Sequence, residues 1–157
     1  MTAMLRLGWV IPLALLTVSN LRAAENVVTP AMVGHWEGHA RIVVSWCRQK
    51  RLPVKLDLHA DGTVAGTVGD ATLQHGHFRA NRGWLGRKLH LATDYIIAGD
   101  LDGDIVAAEG IRREHVMIPL NFNGGVFKGG VNTSGSTFGG KESMWLAAMA
   151  LELVRSP

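Results

Sequence analysis

A pair of histidines is the first place in this sequence where residue type and spacing together could support chemistry. The chain holds seven histidines, and one residue separates His75 from His77. Alternate side chains of a β-strand point to the same side, so these two imidazoles can share a zinc or copper ion. A third ligand is not evident; the candidates, if the fold brings them near, are His35, His39, His59 and Glu109. We favour scattered surface imidazoles and predict no metal site, with His75 and His77 as the alternative.

Two further segments match the first positions of a known binding motif but lack a residue that the motif requires. Gly135–Lys141 matches the first seven positions of a phosphate-binding P-loop, but Glu142 stands where the motif needs Ser or Thr for magnesium. Three aspartates alternate in Asp100–Asp104 as in the opening of a calcium loop, but Ile105 occupies the position that needs glycine. These segments therefore predict a flexible loop and a charged hairpin tip, and we expect no cofactor.

Cys47 is the single cysteine of the chain, so no internal disulfide can form. Its neighbours Arg48, Lys50 and Arg51 could lower the pKa of the thiol, and the thiolate is the form that acts as a nucleophile. A lone cysteine beside Trp46 is more often a buried thiol, however, and no G-x-S-x-G elbow accompanies the serines of the chain. We therefore predict that the protein is not an enzyme.

Residues 1–24 have the features of a secretory signal peptide. Arg6 supplies the positive end, Leu7–Val18 forms the apolar run, and small residues follow up to Ala24. Cleavage after Ala23 or Ala24 fits this pattern, and Ala23 is preferred because cleavage after Ala24 would place a charged arginine three positions before the cut. The apolar run is also shorter than the about 20 residues that a membrane span needs. We expect a secreted or periplasmic protein, with an uncleaved anchor as the alternative.

Removal of the leader changes the charge balance. The full sequence has 16 basic and 13 acidic residues, and the leader contains two of the basic ones, Arg6 and Arg22, so 14 remain against 13. Nucleic-acid binding needs a clustered basic face, which this balance does not indicate. We therefore expect no nucleic-acid partner, no stable membrane span after cleavage, and one domain over residues 25–157. A protein partner is left open.

From Val33 onward, apolar and polar residues alternate, which is typical of antiparallel strands with one buried face. Asp61-Gly62, Asp102-Gly103 and Asn123-Gly124 each follow such a segment and predict hairpins, because glycine accepts a positive φ. With Ala71–Ala80 and a C-terminal segment the count is about eight strands, enough to close a barrel. The predicted fold is all-β: an antiparallel up-and-down meander barrel of about eight strands, preceded by the helix of the signal peptide.

Two places resist this interpretation. Pro119 has no backbone N–H and lies inside a predicted strand, so we expect that strand to be at an edge, bulged or broken there. The segment Ser143–Val154 carries apolar residues at helical spacing, but we favour a strand for its second half, with Met149, Leu151 and Leu153 on one face. Gly83–Ala92 fits either a short helix or a lid-like loop.

Short motifs in this chain resemble those of lipocalins and other calycin barrels. Gly34-His35-Trp36, at the start of the first strand, is similar to their G-x-W signature, and Thr93-Asp94-Tyr95 is similar to a later T-D-Y motif. The disulfide that is common in lipocalins is absent. The resemblance implies an up-and-down barrel with a pocket for a small, often apolar molecule. It also implies that Arg155 packs over Trp36.

We therefore expect an exported barrel that binds a small apolar ligand. The inward positions are almost all apolar, and such a lining either packs against itself or holds an apolar guest. The predicted lining comprises Trp36, Ile42, Val54, Leu56, Leu58, Tyr95, Ile97, Ile118, Leu120 and Phe122. The alternative is a secreted interaction or inhibitor module with a solid core, which would act through Arg48–Arg51 and Asn132–Lys141. An enzyme ranks third, because it would need a cleft that joins His75 and His77 to a carboxylate.

Overall fold

A computed structural model of the chain describes residues 27–81, 93–135 and 145–157. Eight antiparallel strands form a closed barrel in which each strand pairs with its neighbours along the chain, and the first strand pairs with the last. The predicted all-β fold of about eight strands is therefore confirmed. The proposed signal peptide, Gly83–Ala92 and most of Gly135–Lys141 lie outside the described residues.

Of the ten strands in the described residues, eight build the barrel. In chain order the strands are β1 (Gly34–Ile42), β2 (Arg51–Leu58), β3 (Thr63–Val68), β4 (Ala71–Ala80), β5 (Tyr95–Asp102), β6 (Asp104–Val106), β7 (Ile111–Arg112), β8 (His115–Asn123), β9 (Val126–Ser134) and β10 (Leu146–Arg155). The two short strands β6 and β7 pair with each other outside the barrel, joined through a 3-10 turn at Ala107–Glu109.

Alternation along each strand decides which side chains face the interior. In β2, Leu52, Val54, Leu56 and Leu58 are buried while the residues between them are more exposed. Successive side chains of a strand point to opposite faces, so one strand supplies the interior with every second residue. The same alternation buries one face of every barrel strand, and together these faces form the core.

Bulges interrupt the alternation in two of the strands. The pairing of β10 with β9 shifts between Ala148 and Leu151, and Ala150 has a φ of 53°. An extra residue in one strand moves the side chains that precede it to the other face. The expected common face of Met149, Leu151 and Leu153 is therefore wrong: Leu151 and Leu153 are buried, but Met149 is 62% exposed. In β4, His75 has a φ of 51° at a similar bulge.

The Asp102-Gly103 pair does not form a hairpin of the barrel, which corrects the sequence-based prediction. Strand β5 is already paired with β4 on one side and β8 on the other, so it has no free edge for the chain that follows. That chain instead forms β6, in which Asp104 pairs with Arg112 of β7. The turn residues therefore predicted that the chain reverses its direction, but they did not predict which strand pairs with the returning segment. The Asp61-Gly62 and Asn123-Gly124 hairpins are confirmed.

Pro119 lies in the continuous strand β8, between β5 and β9, so it neither breaks the strand nor marks an edge. It is in register with Ile96 of β5. On the other side the paired positions are Met117 with Asn132 and Leu120 with Gly129. Proline thus costs the sheet a backbone donor at one position without ending the strand.

The antiparallel order gives the barrel two distinct ends. At one end lie the start of β1 and the hairpin between β8 and β9; we call it the Trp36 end. The connection from β1 to β2 and the segment from β5 to β8 lie at the other, which we call the Cys47 end. The C-terminal segment 146–155 is a strand throughout and brings Arg155 to the Trp36 end.

Candidate functional site

The predicted lining residues meet inside the barrel. Eight of them are buried: Trp36, Ile42, Val54, Leu56, Leu58, Ile97, Ile118 and Leu120. Tyr95 and Phe122 are half-buried and pack against the core at the Trp36 end. Their placement agrees with the alternation in the sequence, while their role in binding stays a prediction.

Aromatic rings fill the interior at the Trp36 end. The ring of Phe127 lies 4.7 Å from those of both Trp36 and Phe122, measured between centroids. Phe78 stacks on Tyr95 at 4.9 Å and lies 6.0 Å from Phe127. The rings are tilted or edge-on to one another in most of these pairs, an arrangement that adds to the stability of a core. Phe78 and Phe127 were not among the predicted lining residues, although both occupy inward positions of their strands.

Trp36 is held in place at its N–H edge and over one face of its ring. Its indole N–H donates a hydrogen bond to the carbonyl oxygen of Met32 at 2.8 Å. The guanidinium carbon of Arg155 lies 5.8 Å from the centroid of the indole, and this side chain also donates to the carbonyl of Val33. A Cβ at Gly34 would lie only 3.0 Å from the guanidinium, so glycine leaves room for this packing. The expected placement of Arg155 over Trp36 is confirmed.

The half of the interior toward the Cys47 end has a different character. Its buried side chains are aliphatic and mostly small, with Ala40, Ala71 and Ala148 at three inward positions. The other members are Ile42, Cys47, Leu52, Val54, Val68, Leu101, Ile105, Val106, Val116, Val131, Thr133 and Leu146. Thr133 is the polar member, and its hydroxyl donates to the carbonyl of Leu146 at 3.2 Å. The side chains of this half are individually smaller than the rings at the opposite end.

Glu109 holds the connection between β1 and β2. Its carboxylate accepts the backbone N–H groups of Arg48 at 3.0 Å and Gln49 at 2.6 Å. These two donors lower the pKa of Glu109. The Cys47 thiol, which is fully buried, lies 3.7 Å from the same carboxylate and donates to the carbonyl of Gln49.

The favoured interpretation of Cys47 as a buried thiol is confirmed, and the alternative of a thiol activated by its basic neighbours is wrong. Burial first, and then the negative charge of Glu109, raise the pKa of the Cys47 thiol. Of the basic neighbours in sequence, Lys50 turns its ammonium group to the carbonyls of Val44 and Cys47. The thiol is therefore protonated and shielded, which is the opposite of what a nucleophilic cysteine needs.

Arg113 is the one charged side chain that is buried within the described residues, at 5% exposed. It lies between β7 and β8 at the Cys47 end, with its guanidinium carbon 5.4 Å from the centroid of the Trp46 ring. Burial lowers the pKa of this guanidinium. No pattern in the sequence indicates this residue, because it follows Ile111-Arg112 in a polar segment without periodicity.

The histidines of the described residues lie outside the barrel. His75 and His77 are both exposed on β4, where the bulge places Gln74 and His75 side by side on the outer face. Asp100 of β5 lies 3.2 Å from His75 and 2.8 Å from His115 of β8. In the described ranges no three His, Cys, Asp or Glu side chains are arranged to hold a metal ion. His35, His39, His59 and Glu109 do not join the pair.

Comparisons of this chain with known protein families, with curated proteins and with solved structures find no match. The closed eight-stranded antiparallel barrel is compatible with a calycin-like fold. Among the described residues, no helix is long and apolar enough to cross a membrane.

Proposed function

We propose that this chain is an exported barrel that binds a small apolar molecule in the half of its interior toward the Cys47 end. The observation that carries the proposal is the difference in side-chain size between the two halves. Rings pack against one another around Phe127 at one end, whereas Ala40, Ala71 and Ala148 occupy inward positions at the other. An eight-stranded barrel is just wide enough for its side chains to fill it or for one small ligand.

The lining supports an apolar guest in preference to a polar one. Buried polar groups cost free energy unless they are hydrogen-bonded, so a polar ligand needs matching groups in the wall. Thr133 is the polar residue among the buried wall positions, and its hydroxyl is already bonded to Leu146. Burial of an apolar ligand against this wall is therefore favourable, by about 25 cal/mol per Å² of apolar surface removed from water.

Export is the second part of the proposal, and it is supported by the leader sequence at residues 1–24. Expression of the full chain in a Gram-negative host, followed by mass measurement of the protein from the periplasmic fraction, tests it. We expect a mature chain that begins at Ala24, or at Glu25 if the second cleavage site is used. A full-length chain retained in the cell would contradict export.

Titration of the neutral probe Nile red into the processed chain tests ligand binding. We expect saturable binding with one site per chain, and displacement of the probe by dodecanol. The matched variant is Ala148→Phe, which adds a ring to the half with small side chains. It should abolish binding and leave the chain folded. Absence of saturable binding by several apolar probes would contradict the proposal.

A secreted interaction module is the second candidate, and exposed apolar side chains at one face favour it. Trp145 and Met149 are 64% and 62% exposed, and Val43 is bonded through its backbone to Ala147, which lies between them. Under this alternative the interior is solid, so Ala148→Phe would overpack it and destabilise the chain by about 1–3 kcal/mol. The unfolding free energy of this variant therefore distinguishes the two candidates.

A further inference from the structure

One side of the barrel carries uncharged side chains across the outer face of four neighbouring strands, β5, β8, β9 and β10. Ala98 is in register with Met117, and Met117 is in register with Asn132 on its other side. Asn132 is in turn in register with Ala147. These four outward positions, with four others beside them, form what we call the apolar band; the others are Ile96, Pro119, Gly130 and Met149.

The large side chains in and beside the apolar band are open to solvent. Met117 and Met149 are 41% and 62% exposed. At the border toward the Cys47 end, Trp145 is 64% exposed and Val43, which is bonded to Ala147, is 47% exposed. Soluble proteins seldom expose large contiguous apolar patches, and those that exist mark contacts with a protein or a membrane. The apolar band therefore indicates a surface that meets a partner.

Basic side chains border the apolar band on both of its long sides. On the β4 side, Arg79 is in register with Ile96 of the band. On the β1 side, Arg41 is in register with Met149, and Arg51 of β2 lies beside Arg41. All three arginines are exposed. Both flanks of the band therefore present guanidinium groups to the partner.

Acidic side chains adjoin the apolar band only beyond its two ends, among the described residues of β4, β5, β8, β9 and β10. Asp100 lies toward the Cys47 end, 2.8 Å from His115. Glu152 lies toward the Trp36 end, 3.4 Å from Lys128. Since each of these carboxylates faces a basic side chain, they offset little of the positive charge on the long sides.

The equal sign of the two flanks decides between the kinds of partner. In a symmetric dimer the same face meets itself, so Arg41 and Arg51 would lie against Arg79 or against their own copies. Like charges facing each other across an interface are unfavourable. An anionic surface complements both flanks at once. A lipid bilayer also adapts to the convex face of a barrel, and an exposed tryptophan such as Trp145 is typical of its headgroup region.

We propose that the apolar band docks on the surface of a membrane that contains anionic lipids. The apolar side chains would lie at the boundary between headgroups and acyl chains, where buried apolar area and attraction to anionic lipids both contribute to binding. The arginines at the flanks can keep their aliphatic stems against the band and extend their guanidinium groups to the phosphates. Lys55 and Asp57 project from β2 on the far side of the barrel, so the contact is one-sided. The proposal is independent of the ligand site in the interior.

Co-sedimentation of the processed chain with increasing amounts of lipid vesicles tests the docking. Each arginine close to an anionic surface strengthens binding by about fivefold. We therefore expect vesicles of phosphatidylglycerol and phosphatidylcholine in equal parts to bind the chain at least about tenfold more tightly than vesicles of phosphatidylcholine alone. Equal binding to both would contradict the role of the arginines. Binding to neither would overturn the proposal and favour an acidic protein as the partner.

Met117→Glu places a negative charge at the centre of the apolar band, on a side chain that faces solvent. It should weaken binding to the anionic vesicles by about tenfold, because it removes apolar contact and adds repulsion. Val154→Glu is the matched control, since it adds the same charge to a 49% exposed residue of β10 outside the band. It should bind nearly as well as the unmodified chain. An equal loss in both variants would overturn the assignment to this face.

A variant with both Arg41→Gln and Arg79→Gln tests the flanks and changes no apolar side chain. It should weaken binding to the anionic vesicles by about twentyfold and leave binding to phosphatidylcholine unchanged. Arg112→Gln, at a 65% exposed arginine of β7 outside the barrel, is the control and should have little effect. Undiminished binding of the double variant would contradict the proposal.

Light scattering of the processed chain without lipid tests a second copy as the occupant of the apolar band. We expect a monomer, because the like charges of the flanks oppose self-association through this face. A dimer that Met117→Glu dissociates and Val154→Glu leaves intact would show that a second copy covers the band, and it would overturn membrane docking.

Discussion

Arg155 and Trp36 lie 119 positions apart in the sequence, yet their contact closes the Trp36 end of the barrel. We predict that Arg155→Met lowers the unfolding free energy by about 1 kcal/mol, since it removes a cation–π contact and a hydrogen bond to Val33. Urea denaturation measures the change. Arg41→Met, at an exposed position of β1, is the control and should have little effect. An equal loss in both variants would show that the packing over Trp36 contributes nothing specific.

His35 should make stability depend on pH. Its imidazole lies 2.6 Å from Asp57 and 2.9 Å from Glu37, and the bond to Asp57 is the main reason why the pKa of His35 is raised above 6.5. Lys55 faces the same cluster, 3.3 Å from Glu37. Because the folded-state pKa is the higher one, the stabilisation is complete below about pH 6.5 and is lost as pH rises through the raised pKa.

We therefore predict that the urea midpoint of the unmodified chain decreases between about pH 6 and pH 9 and that His35→Gln flattens this slope. His59→Gln, at another exposed histidine, is the control and should keep the slope. A slope that His35→Gln leaves unchanged would contradict the assignment to His35.

Cys47 should be inert toward thiol reagents in the folded protein, because it is buried and its pKa is raised. Glu109→Ala removes the acceptor of the Arg48 and Gln49 N–H groups and should free the connection between β1 and β2. We predict that labelling of the thiol becomes at least about tenfold faster in this variant. Glu152→Ala, on the outer face of β10, is the control. Rapid labelling of the unmodified chain would refute the burial of Cys47.

At the scale of the strand, the bulge in β10 stores strain that a substitution can release. Ala150 has a φ of 53°, a region that costs a residue with a side chain about 1–2 kcal/mol. We predict that Ala150→Gly stabilises the chain by about 1 kcal/mol in urea denaturation. Ala147→Gly, in the regular part of the same strand, should instead destabilise it by about 0.5–1 kcal/mol. Destabilisation of similar size in both variants would contradict a strained bulge.

The strands themselves were predictable, because alternation is a local property of the sequence. The register of β2 follows directly from its buried leucines, and Ala71–Ala80 has the predicted bounds. The bulge at Ala150 was not predictable, since no glycine marks it, and so Met149 was placed on the wrong face. The turn at Asp102-Gly103 was recognised, but its consequence depends on β8 occupying the edge of β5.

At the scale of the whole molecule, the sequence predicts a closed barrel with an apolar interior but not the composition of its two ends. The aromatic cluster depends on Phe78 and Phe127 meeting across the barrel, and the Cys47 end depends on Glu109 reaching Arg48 across 61 residues. Such contacts join residues that are far apart in the sequence and form only when the sheet closes into a barrel. For the same reason, the metal hypothesis at His75 and His77 was based on local spacing and missed Asp100 and His115.

Methyl NMR of the processed chain with dodecanol tests the central claim most directly, because it locates a guest within the barrel. The account predicts saturable shifts of the methyl signals of Ala40, Val68 and Ala148, which lie in the half toward the Cys47 end. Residues packed around Phe127 should shift little. Shifts confined to exposed methyl groups such as that of Met149, or no shifts at all, would contradict a ligand site inside the barrel.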